Sequence, residues 1–104
     1  SKSNRKGQKV LIIGAGQICQ LILRKIFNNE SNESFLPIGI LDDKKSLTGR
    51  TLYGIPVLGS TEDFQEIVIK KNISMVLITI SDSNIIQEFC IQNEIEFRLV
   101  SINI

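Results

Sequence analysis

The stretch Val10-Leu11-Ile12-Ile13-Gly14-Ala15-Gly16 decides the fold, together with Ile38-Gly39-Ile40-Leu41-Asp42-Asp43 further along the chain. A short run of consecutive apolar residues bounded by a glycine-rich turn is typical of a fully buried parallel strand. The segment from Gln17 to Asn28 then repeats apolar residues at helical spacing, and the second apolar run ends on an acid. This order of strand, turn, helix and strand is what a mononucleotide-binding βαβ unit requires.

The turn and the acids suggest how such a unit would hold a nucleotide. Glycines allow backbone N–H groups to approach a pyrophosphate, and the helix N-terminus adds partial positive charge. Asp42 is the candidate acceptor for ribose hydroxyls, and an acid there disfavours a 2′-phosphate, so NAD is favoured over NADP. Asp43 is a second acidic candidate, with the start of a turn as its alternative role. The candidate binding residues of this unit are Gly14, Ala15, Gly16, Gln17, Ile18, Asp42 and Asp43.

Three further residues bear on the predicted binding site. Cys19 stands where the dinucleotide fingerprint has its third glycine, so we expect the helix slightly further from the strand and weaker binding. Ser81 follows the fourth predicted strand, where ligands collect at the carboxyl edge of a sheet, but it could equally cap a helix. Arg50 could reach a phosphate or simply be solvated. The competing interpretation of the whole turn is that its glycines serve backbone geometry only.

Strands and helices alternate along the rest of the chain. Pro56 favours an edge position for the third predicted strand, and Ser60 or Thr61 is expected to cap the helix that follows it. Alternation of this kind predicts an α/β fold with a doubly wound parallel sheet of about five strands in the order 3-2-1-4-5. The predicted strands cover residues 10–13, 35–41, 55–58, 73–80 and 96–100.

Composition excludes several classes of function. The net charge of +1 gives no general electrostatic case for nucleic acid, so no nucleic-acid partner is expected. The chain has no histidine, and its cysteines, Cys19 and Cys90, match no metal-binding spacing, so both are expected to pack in the core of a protein from a reducing, cytoplasmic compartment. Neither Tyr53 nor Met75 is followed four residues later by lysine, so no dehydratase-type catalytic pair is present. We predict binding without catalytic residues in this chain.

The head of the chain differs from the rest. Residues 1–9 are basic and polar, and we expect a disordered, solvated leader there, with a juxtamembrane segment as the alternative. Residues 10–104 form the single predicted domain. The apolar run over residues 75–80 is too short to span a bilayer, and no signal peptide is visible. A first residue other than Met suggests a piece of a longer protein.

From Val10 to Ser101 the chain resembles the N-terminal Rossmann-like domain of bacterial polysaccharide-biosynthesis proteins, the nucleotide-sugar 4,6-dehydratases and epimerases of capsule and O-antigen synthesis. The opening turn, an acidic helix start at Glu62-Asp63 and the strand at 73–80 fit that module. The most specific matches are Pro-Ile-Gly-Ile-Leu-Asp-Asp at 37–43, Leu-Thr-Gly-Arg at 47–50 and Tyr-Gly-Ile-Pro-Val-Leu-Gly at 53–59.

The resemblance implies a nucleotide-binding module of a longer, NAD-dependent lyase. The catalytic pair of that enzyme, which includes a lysine, lies in a second domain. The resemblance implies a small-molecule nucleotide as partner, with NAD or a nucleotide-sugar as ligand and CoA as a weaker expectation. It also implies a homo-oligomer at the cytoplasmic face of the inner membrane, reached only through segments outside this chain. The alternatives are a ligand-free domain for structure or oligomerisation, and the same module heading a polyprenyl-phosphate sugar-1-phosphate transferase. A similar start also occurs in sugar acetyltransferases.

Overall fold

A computed structural model describes residues 7–103 of the chain. Its strands form one six-stranded sheet in the order β3-β4-β2-β1-β5-β6, parallel throughout except for the antiparallel pair of β3 and β4. Single-turn 3₁₀ helices lie at Lys45–Leu47 and Thr61–Asp63. The remaining elements are β1 (Gln8–Ile13), α1 (Gln17–Phe27), β2 (Phe35–Leu41), β3 (Thr51–Leu52), β4 (Ile55–Gly59), α2 (Phe64–Lys70), β5 (Met75–Ile78), α3 (Asn84–Gln92) and β6 (Glu96–Leu99).

The predicted doubly wound parallel sheet and its strand order are confirmed, because the order 3-2-1-4-5 corresponds to β4-β2-β1-β5-β6. The sheet contains one strand more than expected, the short β3, which pairs with β4 through a tight turn. The edge position predicted for the strand with Pro56 is therefore wrong. Pro56 lies opposite Thr51 and has no N–H, while its neighbour Val57 donates to the carbonyl of Arg50 at 2.8 Å. Because backbone groups of neighbouring strand residues face opposite sides, Pro56 faces β2, and the pairing of β2 with β4 begins only at Val57.

Residues of β1 alternate between the two faces of the sheet, and each face has its own core. Val10 and Ile12 pack in one core, whereas Leu11 and Ile13 pack in the other, and all are fully buried. Helix α1 covers the first face and helices α2 and α3 cover the second, so the run of consecutive apolar residues follows from burial on both sides. Burying one such side chain contributes roughly 1.5–3 kcal/mol. The helix residues that complete these cores are Cys19, Leu23, Phe64, Val68, Ile86 and Cys90.

Several boundaries differ from the sequence expectations. Strand β1 begins at Gln8, so the last residues assigned to the basic leader belong to the sheet. Residues 1–6 lie outside the described residues, and the predicted disorder there remains a prediction. The strand predicted over residues 73–80 is shorter, and Thr79 and Ile80 continue beyond it as half-buried residues.

The capping prediction at Ser60 is confirmed. Its hydroxyl accepts a hydrogen bond from the backbone N–H of Glu62 at 3.2 Å, and its own N–H donates to the Asp63 carboxylate at 2.9 Å. This reciprocal pair satisfies N–H groups that a helix start leaves without partners. Across residues 7–103, no helix combines the length and the apolar composition that a membrane crossing requires.

Candidate functional site

The turn after β1 is held in place by residues that follow β5. Gly14 has a φ of +101°, and its N–H donates to the carbonyl of Leu41 at 2.7 Å. A Cβ at Gly14 would overlap Thr79 Oγ1 and lie 2.9 Å from Ile80 Cγ2. The Thr79 hydroxyl also donates to the carbonyl of Ile13 at 2.7 Å. Gly14 is therefore required by both backbone conformation and packing.

Gly16 has neither requirement. Its φ of −86° is ordinary for any residue, and a Cβ there would meet no atom within 4 Å. Gly16 is the N-cap of α1, and its exposed position leaves open space beside the first turn of that helix. Glycine at position 16 therefore leaves space around the turn, while neither the backbone conformation nor the packing of the fold requires it.

The backbone N–H groups beside this space are free. The first hydrogen bond of α1 runs from Gln20 N to Gly16 O at 3.1 Å, and no side chain caps the helix. Within residues 7–103 the N–H groups of Gly16, Gln17 and Ile18 have no acceptor. Unpartnered N–H groups at a helix start, together with the helix dipole, favour an anion.

Asp42 binds the turn directly. Its Oδ2 accepts a hydrogen bond from Ala15 N at 2.8 Å, and its Oδ1 accepts one from Lys44 N at 2.8 Å. The carboxylate thus links the end of β2 to the turn after β1. The N–H of Ala15, a candidate for pyrophosphate binding, is engaged within the protein, while the three N–H groups after it remain available.

Asp43 has a separate structural role. Its Oδ1 accepts hydrogen bonds from both the N–H and the hydroxyl of Thr61, each at 2.8 Å. These bonds, the backbone one foremost, lower the pKa of the Asp43 carboxyl below its ordinary value. The turn expected at Asp43 is formed by Asp42 instead, since Asp42 is the residue that accepts from the N–H two positions on.

Ser81 lies at the carboxyl edge, as predicted, but it does not cap a helix. It is exposed, and its hydroxyl has no hydrogen-bond partner among the residues from 7 to 103. The N-cap of α3 is Ser83, which is buried and whose Oγ accepts from Gln87 Nε2 at 2.9 Å. Ser81 therefore remains available to a ligand at this edge.

Cys19 packs in the core beneath the first turn of α1. The thiol is fully buried between α1 and the sheet, and burial, followed by the negative charge of Asp42, raises its pKa to about 12. Burial also raises the pKa of the Cys90 thiol in the opposite core. The prediction that both cysteines pack in the core is confirmed.

A cleft of about 740 Å³ opens between Asp43, which follows β2, and the first turns of α2 and α3. Phe64 and Ile86 are the buried apolar residues of its lining, and the Thr61–Asp43 pair lies at one side. The acids that line it are Asp43, Glu62, Glu66 and Asp82. The cleft was not predicted from the sequence, where Glu62 was interpreted only as part of an acidic helix start. The position of Glu62 and Asp82 after the carboxyl ends of two parallel strands of one sheet was the available signal.

No group of three or more histidine, cysteine, aspartate or glutamate side chains in the described part of the chain is arranged to hold a metal ion. The backbone N–H groups of the turn are therefore the hydrogen-bond donors available to an anion. The nearby carboxylates are the acceptors available to hydroxyl groups. The arrangement suits a ligand with a diphosphate group and hydroxyl donors.

Comparison with known proteins extends these observations. A protein named "Probable polysaccharide biosynthesis protein EpsC", from Bacillus subtilis (strain 168), is 22% identical over 104 residues, which is 95% of this chain and 17% of that protein. The chain therefore spans about one sixth of the length of this curated relative. The likeness confirms the predicted resemblance to polysaccharide-biosynthesis proteins.

Two solved structures share the fold. The Rex-family repressor RSP in complex with beta-NADH has a TM-score of 0.75 and 20% identity, over 94% of this chain and 48% of that one. UDP-D-quinovosamine 4-dehydrogenase from Vibrio fischeri has a TM-score of 0.63 and 24% identity, over 93% of this chain and 79% of that one. Residues 1–104 of this chain match the protein family described as "CoA-binding domain". The chain is therefore a Rossmann-like domain that belongs to the CoA-binding domain family.

Proposed function

We propose that this domain binds the diphosphate of a nucleotide, NAD or a nucleotide-sugar, at the backbone N–H groups of Gly16, Gln17 and Ile18. The observation that carries the proposal is the contrast between the two turn glycines. Gly14 is needed for the fold, whereas Gly16 leaves open space over unpartnered N–H groups that the fold does not use. A diphosphate is the part of a nucleotide that needs such space.

The strength of the interaction follows from the donors. A hydrogen bond to a charged group contributes about 1.5–3 kcal/mol, so three of them contribute roughly 5–9 kcal/mol before the costs of ordering the ligand. No lysine or arginine lies in the turn itself, and Asp42 adds negative charge beside it. We therefore expect weak binding, since the costs of association are subtracted from this contribution.

Asp42 suits the ribose of such a ligand. Each carboxylate oxygen accepts one backbone hydrogen bond and keeps a second acceptor site for a hydroxyl donor. Beta-NADH, which is bound in one fold neighbour, and the UDP-sugar after which the other is named both carry a diphosphate and free ribose hydroxyls. This supports NAD or a nucleotide-sugar as the ligand class.

We place the domain in a longer polysaccharide-biosynthesis enzyme, a nucleotide-sugar dehydratase or epimerase that works as a homo-oligomer at the cytoplasmic face of the membrane. The relation to EpsC and the family membership support this context. The domain's own part is to bind and orient the nucleotide, and the catalytic groups lie in another part of that enzyme.

Calorimetric titration of the domain with NAD⁺ and with a UDP-sugar tests the proposal. A ligand at one hundred times its dissociation constant stabilises the fold by about 2.7 kcal/mol, which thermal unfolding detects in parallel. Gly16→Ala should weaken binding and Gly16→Val should abolish it, because the added carbons occupy the space that the diphosphate needs. Gln20→Val, on the exposed side of the same helix, is the matched control and should bind as the parent does. Unchanged binding by Gly16→Val would refute the assignment.

One observation favours a second function, a scaffold that binds no nucleotide. Asp42 already satisfies the N–H of Ala15 and places a negative charge beside the turn. Such a domain would serve oligomerisation, and none of the nucleotides would shift its unfolding temperature. The same titrations therefore decide between the two functions.

A further inference from the structure

We propose that this site discriminates against coenzyme A, because the 3′-phosphate on its adenosine ribose meets fixed carboxylates, although the family is described as CoA-binding. The inference rests on the proposed function and adds the ligand class that the site rejects. Ligands with an unmodified ribose next to the diphosphate are accepted.

The position of Asp42 is the first reason. Two backbone hydrogen bonds of 2.8 Å, from Ala15 N and Lys44 N, hold the carboxylate against the turn. A ribose that continues from a diphosphate on the turn lies beside the acid at the end of the second strand. A free 3′-hydroxyl can donate to that acid. A phosphate ester at the same oxygen has no proton to donate and adds about 1.5–2 negative charges.

The second reason is that the residues from Asp43 into the neighbouring cleft are also acidic. Asp43 is the next residue, and its hydrogen bonds from Thr61 favour the ionised carboxylate at neutral pH. Beyond Asp43, the cleft is lined by further acids, Glu62, Glu66 and Asp82, and by no lysine or arginine. A 3′-phosphate directed into the cleft would thus meet carboxylates as well.

Basic residues do occur nearby, in the loop after Asp43. Lys44, Lys45 and Arg50 are all exposed there. In the part of the chain that the structure describes, none of them lies within 4.0 Å of a carboxylate oxygen of Asp42 or Asp43. The carboxylates are therefore not neutralised by contact with these three side chains.

Coenzyme A and 3′-dephospho-coenzyme A make the decisive pair of ligands, because they differ only in this phosphate. Calorimetric titration of the domain at low salt should show dephospho-coenzyme A binding at least tenfold more tightly. Added NaCl should reduce the ratio, since screening weakens charge repulsion between exposed groups. Asp42→Asn and Asp43→Asn should each reduce it also. Glu30→Gln, which removes a charge in the loop between α1 and β2, is the matched control and should leave the ratio unchanged.

The outcomes separate this inference from the proposed function. If coenzyme A binds as tightly as its dephospho form, or more tightly through Lys44 and Lys45, the discrimination is refuted while nucleotide binding stands. If NAD⁺ binds but dephospho-coenzyme A does not, the inference is likewise refuted. If NAD⁺, the UDP-sugar and both coenzyme forms all fail to bind, the proposed function fails, and the inference fails with it.

Discussion

Replacing Gly14 with alanine should destabilise the domain far more than the same replacement at Gly16 or Gly54. The three positions differ in what a methyl group would meet. Gly16 has ordinary dihedrals and open space, Gly54 has a φ of +80° and open space, and Gly14 has a φ of +101° with Thr79 in the way. The series therefore separates the cost of backbone conformation from the cost of packing.

The magnitudes follow from these differences. An alanine at an N-cap in place of glycine costs less than about 1 kcal/mol, which applies to Gly16. A left-handed conformation costs an alanine about 1–2 kcal/mol, which applies to Gly54. At Gly14 the same cost is joined by overpacking of about 1–3 kcal/mol and by loss of the Thr79–Ile13 hydrogen bond, about 1 kcal/mol. We expect a total of roughly 3–6 kcal/mol at Gly14.

Urea and thermal unfolding followed by circular dichroism measure these differences. Since 1 kcal/mol shifts the midpoint of a domain of this size by about 4–8 °C, Gly14→Ala should lower it by at least about 12 °C. Adding Thr79→Ala to Gly14→Ala should restore part of the loss, because it removes the atom that the new methyl group overlaps. If Gly14→Ala is no less stable than Gly54→Ala, or if Thr79→Ala restores nothing, the packing around the turn is described wrongly.

Two further predictions concern titratable groups. The hydrogen bonds from Thr61 lower the pKa of Asp43 in the folded state, so their stabilisation is complete above the ordinary aspartate pKa of about 3.9 and is lost as the pH falls through the lower, folded value. Unfolding midpoints measured from pH 7 to pH 2 should therefore decline less steeply in Asp43→Asn, and identical slopes would contradict the role of Thr61. The buried thiols of Cys19 and Cys90 have raised pKa values, so a thiol reagent at pH 8 should label them only after urea is added. Rapid labelling of the folded domain would show that a thiol is accessible.

The sequence predicted the parts of the fold that depend on local patterns of apolar and polar residues. Runs such as Val10 to Ile13 are apolar at every position because both faces of the sheet are covered, and this identifies a central strand without further information. The alternation of such runs with amphipathic helices then limits the strand order to few possibilities.

The parts that it missed depend on pairing between distant segments. Strand β3 has only two residues, too few to show any periodicity, and it exists because β4 offers it a partner. The formation of the turn by Asp42 and not by Asp43 has a similar origin. Adjacent strand residues point to opposite faces, so the position of the strand end decides which carboxylate reaches Ala15 and which reaches Thr61.

Because the fold does not require glycine at position 16, evolution can change this residue without unfolding the domain. Mutations at Gly14 are removed by misfolding whether or not the domain has a ligand, so glycine there records only architecture. Mutations at Gly16 leave the fold intact, and purifying selection can act on them only through an activity. Lineages that keep the activity should retain glycine at this position, while lineages that have lost it should accumulate larger residues there and still fold.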